Sequence, residues 1–175
     1  PNWVWHGLGN ESVSNSVSWI DFLDDPLVSH LQTIFFEVRD EQSSSLPLQE
    51  DSPLQIKWLD IKLKLANQTT TDPLGRHRVE LPSGNIPTMR LFAEDLPAGH
   101  QTRRSKSTAN RLFMGAEGAG VLVVGDKFFD WTRGDVVAVP AWTPFYQETS
   151  IGGLLIEIND EPVKEAFGWY RESHI

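Results

Sequence analysis

The side chains that could hold a metal ion are five His and 24 Asp or Glu, because the sequence contains no Cys. Without Cys, structural disulfides and thiolate metal sites are excluded. His6 follows Trp3 and Trp5, and by itself it could be an ordinary, partly buried His. The remaining four show no ligand spacing, and we interpret them as surface or loop residues: His30, His77, His100 and His174.

The charge and hydropathy of the chain argue against two classes of partner. The formal net charge is −9, which disfavours nucleic acid because phosphate backbones bind basic patches. The basic cluster Arg103, Arg104 and Lys106 is typical of a solvated loop face. No apolar run approaches the roughly 18 residues that span a bilayer, and Pro1 to His6 form no signal-peptide pattern. We expect a cytoplasmic protein without membrane contact.

The first part of the chain predicts one strand and two helices. Residues 16–23 have strand character, and Asp25 and Pro26 suit the N-cap and first position of a helix that runs to about Val38. Residues 39–53 are polar and predict a linker. Helix and strand patterns compete at residues 56–66, where helix is favoured.

The pattern of the later part of the chain predicts short strands separated by turns that contain Gly and Pro. This spacing predicts an antiparallel sandwich or barrel. A helix pattern follows Glu161-Pro162-Val163 through Ala166 and Phe167. The predicted strands are residues 77–81, 86–96, 110–114, 120–124, 127–130, 136–140 and 154–159.

Two blocks of the sequence occur twice in the same order. Residues 1–6, with Trp two positions after Pro, resemble residues 140–145, and residues 19–26 parallel residues 155–162. Each copy is a strand that ends in an acidic pair, followed by Pro and a helix. Such a repeat indicates two related structural units.

The two copies differ in what precedes them. Several strands come before Pro140, whereas nothing precedes Pro1, so we expect another chain or an upstream segment to complete the first barrel, whose open edges would otherwise be exposed. The predicted organisation is as follows: residues 1–38, closing strands and helix of a first barrel; 39–85, linker and inter-barrel segment; 86–160, second barrel; 161–175, C-terminal helix and tail.

The glycine and proline positions resemble the cupin motifs. Gly99 and Gly118 match the frame of the first motif, and Gly134 and Pro140 match the second. In finer detail the chain is similar to the bicupin ring-cleaving dioxygenases that act on gentisate, 1-hydroxy-2-naphthoate and salicylate, and it matches their C-terminal portion. The segments that carry this similarity are residues 5–10, 19–21, 25–28, 86–89, 96–99, 140–142, 162–163 and 166–172.

The resemblance implies an all-β dominated fold. The expected architecture is a cupin barrel, a double-stranded β-helix or jelly roll with flanking helices, together with the closing strands of a preceding cupin barrel. It also implies Fe(II), which this family holds through three His in a cupin barrel, since nitrogen ligands leave positions open for an aromatic substrate and O₂.

Residue by residue, the resemblance places part of a metal site in the first barrel. His6 falls on the third His position and Asn10 on the Asn of the motif, and the other two His are expected upstream of Pro1. Asp21 matches an acidic residue that this family has near its active site. Alternatively, Asp21 is an acid at the end of a strand that only makes local hydrogen bonds. Gly7 and Leu8 depart from the family pattern, which puts gentisate specificity in doubt.

The second barrel has lost the ligands that the resemblance requires. Hydroxyl groups and a guanidinium do not replace imidazole and carboxylate on iron, so we expect no metal there and a structural role at a dimer interface. The residues in the ligand positions are Ser105, Ser107, Arg111, Phe145 and Thr149.

Three functional hypotheses follow. The first is the C-terminal part of a non-haem Fe(II) dioxygenase that opens the ring of a gentisate-like, hydroxylated aromatic acid with O₂, in a homo-oligomer. The second is a degenerate, non-catalytic bicupin that binds a small molecule or serves as an oligomer scaffold. The third is a related bicupin with another reaction, such as a decarboxylase or isomerase.

Overall fold

The computed structural model describes residues 2, 4, 6, 9, 10, 12–37, 52 and 55–175. The chain divides into two compact units, which are described separately below. Unit 1 comprises Pro1–Gln55 with Gly84–Ile86, and unit 2 comprises Ile56–Ser83 with Pro87–Ile175. The predicted linker at residues 39–53 lies, apart from Ser52, outside the described residues, and the four predicted segment boundaries stay predictions.

Unit 2 is built from two five-stranded antiparallel sheets. The first sheet has the strand order β1-β2-β9-β4-β7 and the second has the order β10-β3-β8-β5-β6. This mostly β architecture confirms the predicted fold class. The strands are β1 (His77–Leu81), β2 (Arg90–Leu96), β3 (Ser105–Ser107), β4 (Arg111–Gly118), β5 (Gly120–Val124), β6 (Lys127–Trp131), β7 (Val136–Val139), β8 (Phe145–Glu148), β9 (Gly153–Asn159) and β10 (Glu172–His174).

The sequence patterns located seven of these strands and missed three. The missed strands β3, β8 and β10 are three or four residues long and largely polar, so they show no run of alternating apolar residues. Strand β2 also begins at Arg90, after turns that include Pro87, rather than at residue 86.

An apolar cluster fills one part of the interior between the two sheets. Alternate residues of each strand face inwards, as on β4, where Arg111, Phe113 and Gly115 are buried while Leu112 and Met114 are partly exposed. The cluster consists of Leu96, Phe113, Leu122, Val124, Trp131, Val137, Val139, Phe145 and Leu155.

The helix predicted at residues 56–66 is confirmed as α2 (Trp58–Asn67). It buries Ile61 and Leu65 and packs against β1 and β2. At its first turn, Trp58 Nε1 donates a hydrogen bond of 3.0 Å to Glu117, which also pairs with Lys62 at 2.7 Å. These contacts fix one end of the helix to β4.

Unit 1 contains a shorter helix than the sequence predicted. Helix α1 spans Asp25–His30, with Asp24 rather than Asp25 at the N-cap and Pro26 in its first turn. The prediction that it continues to Val38 is wrong, because the chain turns at Gln32, which has a φ of +57°. The amide groups of Gln32 and Thr33 bond back to the carbonyl groups of Ser29 and Val28, which closes the helix as a Schellman motif.

The strand predicted at residues 16–23 is wrong for the structure as described. These residues have no regular secondary structure and belong to no sheet. A strand needs hydrogen-bonded neighbours, and the described part of the chain supplies none for them. Their repeat counterpart, β9, has β2 on one side and β4 on the other.

The repeat found in the sequence is also present in the helix termini. Helix α3 (Glu161–Ala166) starts after Asp160 with Pro162 in its first turn, as α1 starts after Asp24. It ends at Gly168, whose φ is +68°, the position that Gln32 takes in α1. The same pattern of closing hydrogen bonds occurs in both copies, so the two segments are structurally equivalent.

Trp131 is enclosed by glycines that leave no room for a side chain. A Cβ atom at Gly153 would overlap the Cη2 atom of Trp131, and one at Gly120 would lie 2.9 Å from its Cζ2 atom. We expect Gly153→Ala to lower the free energy of unfolding by about 1–3 kcal/mol, as overpacking of a filled core does. Chemical denaturation measures this. Gly9→Ala is the control, since a Cβ there meets nothing within 4 Å, and an equal loss in both variants would contradict the packing argument.

Candidate functional site

The interior of unit 2 holds charged side chains beside its apolar cluster. Glu94 on β2, Arg111 on β4, Gln147 on β8 and Glu157 on β9 are all buried. They face inwards because each shares the alternation of an apolar core residue on its own strand. Burial of charges is unfavourable unless they are paired and hydrogen-bonded, so their contacts determine whether this interior is stable.

Arg111 is bonded on both sides of its guanidinium group. Nη1 donates to Glu157 Oε1, and Nη2 donates to Glu161 Oε1 at 2.5 Å and to Ser107 Oγ at 3.2 Å. Burial by itself lowers the pKa of Arg111, but the attraction of Glu157 and Glu161 outweighs it and raises the pKa above its ordinary value. Arg111 is therefore a permanent internal cation.

A second group of cations approaches Glu157 from β1 and the turn before it. Arg76 Nη1 and Arg78 Nη1 lie 3.3 Å and 3.1 Å from Glu157 Oε2. Both arginines also pair with Asp72, at 2.7 Å and 3.0 Å. Burial raises the pKa of Glu157, yet the attraction of Arg111 and Arg76 is stronger and holds that pKa well below its usual range. Glu157 is thus ionised and shared by three guanidinium groups.

The positions of the lost cupin ligands are engaged in other contacts. Ser107 Oγ accepts from Arg111, and Thr149 Oγ1 donates to the carbonyl of Ala119 at 2.6 Å. Phe145 packs on Phe113, with ring centroids 5.6 Å apart. A guanidinium group and paired carboxylates do not suit a divalent cation. A metal-free second barrel stays a prediction, and the donor set supports it.

His6 lies in unit 1 with one ring nitrogen occupied. Its Nδ1 is 2.9 Å from the carbonyl oxygen of Val4. In the tautomer that donates this hydrogen bond, Nε2 carries the free lone pair, an arrangement typical of metal-binding His. His6 is exposed, and Gly7 and Leu8 lie outside the described residues.

Asn10 has a local structural role. Its Oδ1 accepts a hydrogen bond from the amide of Ser12 at 3.0 Å, and its Nδ2 donates to the carbonyl of Asn15 at 2.6 Å. These bonds stabilise the turn that follows His6.

Asp21 is exposed and lies in unit 1, in a segment without regular secondary structure. The repeat aligns it with Glu157, because α1 and α3 are equivalent and each acid precedes its helix by the same distance. Among the residues that the structure describes, no cluster of three or more His, Cys, Asp or Glu could hold a metal ion. His6 and Asp21 therefore stay single candidates rather than parts of an assembled site.

The charged interior was not predicted from the sequence. In the sequence, Glu94 and Glu157 are acidic residues inside otherwise apolar strands, and this pattern is the signal that could have identified them. Only the fold shows that they meet Arg76 and Arg111. His77 and His100 were interpreted as surface or loop residues, whereas both are half-buried and bonded to the carbonyl groups of Gln68 and Gly75.

Comparison with known proteins gives relatives that match nearly the whole chain. No family model matches. The gentisate 1,2-dioxygenase 1 of Aquipseudomonas alcaligenes is 27% identical over 203 residues, which cover 99% of this chain and 58% of the relative. A 5-aminosalicylate 1,2-dioxygenase of a Comamonas species is 27% identical, with 98% and 54% covered. This chain is thus similar, along nearly its whole length, to dioxygenases of gentisate and 5-aminosalicylate. It spans about half the length of the curated relatives that it matches.

The solved structures of bicupin dioxygenases show the same fold. The salicylate 1,2-dioxygenase of Pseudoaminobacter salicylatoxidans, solved as an adduct with gentisate, matches with a TM-score of 0.73 at 22% identity, covering 86% of this chain and 51% of that one. A variant of that enzyme in complex with gentisate gives a TM-score of 0.76 at 21% identity, with 86% and 52% covered. The resemblance to the C-terminal portion of such proteins is thereby confirmed.

Helices long and apolar enough to cross a membrane are absent from the described residues.

Removal of the Arg111 guanidinium leaves two buried carboxylates short of a partner. Breaking a buried ion pair lowers the free energy of unfolding by about 3–5 kcal/mol. Because Glu157 keeps Arg76 and Glu161 keeps Arg90, we expect Arg111→Met to lose about 3 kcal/mol. Unfolding in denaturant measures this loss, with the exposed Arg133→Met as the control. A loss below about 1 kcal/mol in Arg111→Met would show that the cluster is not an essential part of the barrel.

Proposed function

We propose that the protein containing this chain is a non-haem Fe(II) dioxygenase that opens the ring of a hydroxylated aromatic acid, with the iron in the first barrel. The observation that carries this proposal is the match, over nearly the whole chain, to proteins named for ring dioxygenation of gentisate, 5-aminosalicylate and 1-hydroxy-2-naphthoate. Those three compounds are all aromatic acids with a hydroxyl or amino substituent, which defines the substrate class rather than a single substrate.

His6 is the residue of this chain that would hold the iron. Its Nδ1 hydrogen bond to the Val4 carbonyl fixes the ring and leaves Nε2 available, and neutral imidazole suits Fe(II). The other two ligands are proposed to come from residues upstream of Pro1. When bound, Fe(II) supplies open coordination positions for the aromatic acid and for O₂. Iron is assigned to the first barrel because the second offers Arg111 and Phe145 in the ligand positions.

Asp21 is proposed to face the interior of the first barrel. Its repeat counterpart, Glu157, faces the interior of the second barrel and is fully buried. Strand alternation is the same in both copies if they fold alike, so Asp21 points towards the proposed iron site. A carboxylate there would orient a substrate hydroxyl group or a ligand by accepting a hydrogen bond.

Exposed apolar side chains of unit 1 support the proposal that further strands pack against it. Trp19 and Ile20 are 54% and 47% exposed, whereas their counterparts Leu155 and Ile156 are buried between β2 and β4. We propose that corresponding strands, from an upstream segment of the same protein or from a second chain, cover Trp19 and Ile20. A homo-oligomer and a cytoplasmic location stay predictions.

The alternative function is a non-catalytic bicupin that binds a small molecule or serves as a scaffold. It would be consistent with the interior of the second barrel, which Arg111, Glu157 and apolar side chains fill as a structural core. The two functions differ in iron content, which the first experiment below measures.

Substitution of His6 tests the iron site. In the complete protein we expect His6→Gln to lower iron content by tenfold or more and to abolish O₂ uptake with gentisate, because one of three ligands is lost. Metal analysis by mass spectrometry and an oxygen electrode make the measurement. His30→Gln, on the exposed surface of α1, is the matched control. A wild-type protein without iron would support the non-catalytic alternative.

Substitution of Asp21 tests whether it positions substrate. We expect Asp21→Asn to keep its iron and to lose tenfold or more in kcat/KM, because the amide places a donor where a carboxylate accepts hydrogen bonds. Asp60→Asn, on α2, is the control. Retained kcat/KM together with retained iron would remove Asp21 from the site, and parallel loss of iron would make it a metal-site residue instead.

A further inference from the structure

Glu94 is the one buried carboxyl group of the charged interior without a guanidinium group of its own. It is 0% exposed. Arg76 and Arg78 are closer to other acids, and their Nη1 atoms reach Glu94 Oε1 only at 3.5 Å and 3.9 Å. By contrast, the same two atoms lie 3.3 Å and 3.1 Å from Glu157.

The charges inside the barrel balance without Glu94. Arg76, Arg78 and Arg111 supply three guanidinium groups. They face three carboxylates, those of Asp72 before β1, Glu157 on β9 and Glu161 on α3. Glu161 also has Arg90, which in turn pairs with Glu165. A fourth internal carboxylate would be in excess.

The hydrogen bonds of Glu94 fit its neutral form. Oε2 accepts from Gln147 Nε2 at 3.0 Å, whereas none of the described residues donates to Oε1. A buried anionic oxygen without a donor is strongly unfavourable. A proton on Oε1 removes this unpaired negative charge, and the nearby negative charge of Glu157 favours the protonated form of Glu94.

We propose that burial beside Glu157, without a donor to Oε1 among the described residues, holds Glu94 as a neutral carboxylic acid, and that its ionisation is a pH-sensitive switch on the packing of β1. An ionised Glu94 competes with Glu157 for Arg76 and Arg78. Arg78 lies on β1 and Arg76 directly before it, and β1 is the edge strand of its sheet, so this edge loosens first.

Groups on the other elements around Glu94 do not offset this competition. Strand β8 presents the neutral Gln147. Strand β4 presents Arg111, whose two terminal nitrogens are already bonded to Glu157 and Glu161. Helix α2 buries only the apolar Ile61 and Leu65. Glu94 ionises alone among these groups near neutral pH.

The direction of the pH effect follows from the proton balance. Burial raises the pKa of Glu94 from 4.5 to about 8; Arg76 opposes this shift and Glu157 adds to it. The folded state thus holds a proton that the unfolded state has lost. The resulting stabilisation is fully present below pH 4.5 and is lost as the pH rises to about 8.

Infrared difference spectroscopy of the whole protein tests the proton directly. We expect a carboxylic-acid carbonyl band that shifts with ¹³C-labelled Glu and titrates with a midpoint near pH 8. The band should be absent from Glu94→Gln, which mimics the neutral acid. It should persist in Glu80→Gln, an exposed position on β1. A wild type without such a band at pH 6 would overturn the proposal.

Hydrogen exchange measured by mass spectrometry tests the switch. Relative to Glu94→Gln at the same pH, we expect the protection of β1 amides in the wild type to fall by up to about tenfold per pH unit on approach to pH 8. Glu80→Gln should follow the wild type. Equal profiles for wild type and Glu94→Gln would overturn the switch, and neither outcome depends on iron.

Discussion

The pairing of Arg111 with Glu157 is the interaction on which the rest of the second barrel depends. Two opposite charges at this depth need further hydrogen bonds to offset their loss of hydration, and Nη2 of Arg111 makes them with Ser107 and Glu161. Strands β4 and β9 must therefore be in register, and α3 must return to the barrel so that Glu161 reaches the other side of the guanidinium group. The position of a helix outside the sheets is thus determined by one side chain inside them.

The same pairing explains why this barrel no longer suits metal chemistry. A metal ion and a guanidinium group both neutralise internal carboxylates, but the guanidinium group has a fixed planar set of donors and no open coordination position. It can hold strands together and cannot bind O₂ or a ring substrate. Arg111 falls where the resemblance expects a carboxylate ligand, so a metal ion there would require more than the introduction of one His. The proposal of iron in the first barrel is consistent with this arrangement.

The sequence predicted features that depend on local patterns and missed those that depend on distant contacts. Short apolar runs between turns that contain Gly and Pro located β5, β6 and β9, and the Pro-containing repeat located α1 and α3. The end of α1 at Gln32 was missed because a residue other than Gly takes the left-handed conformation there. Strand β3 was missed since its pairing with β10 and β8 has no signature in Ser-Lys-Ser. The central pairs of the charged interior, Arg111 with Glu157 and Arg76 with Glu157, join residues 46 and 81 positions apart, so no local pattern predicts them.

The repeat shows how one position of the fold can serve two purposes. Asp21 and Glu157 stand at the same distance before equivalent helices, yet Glu157 is buried and bonded to three guanidinium groups, whereas Asp21 is exposed in the described structure. The additional methylene group lets Glu157 reach across the interior to Arg111. Asp21 lacks that methylene group, so in an equivalent fold it would leave more room beside its carboxylate. The two copies of the repeat thus differ in the length of the acid at one position, and in the described structure the longer acid is the one bonded into a packed core.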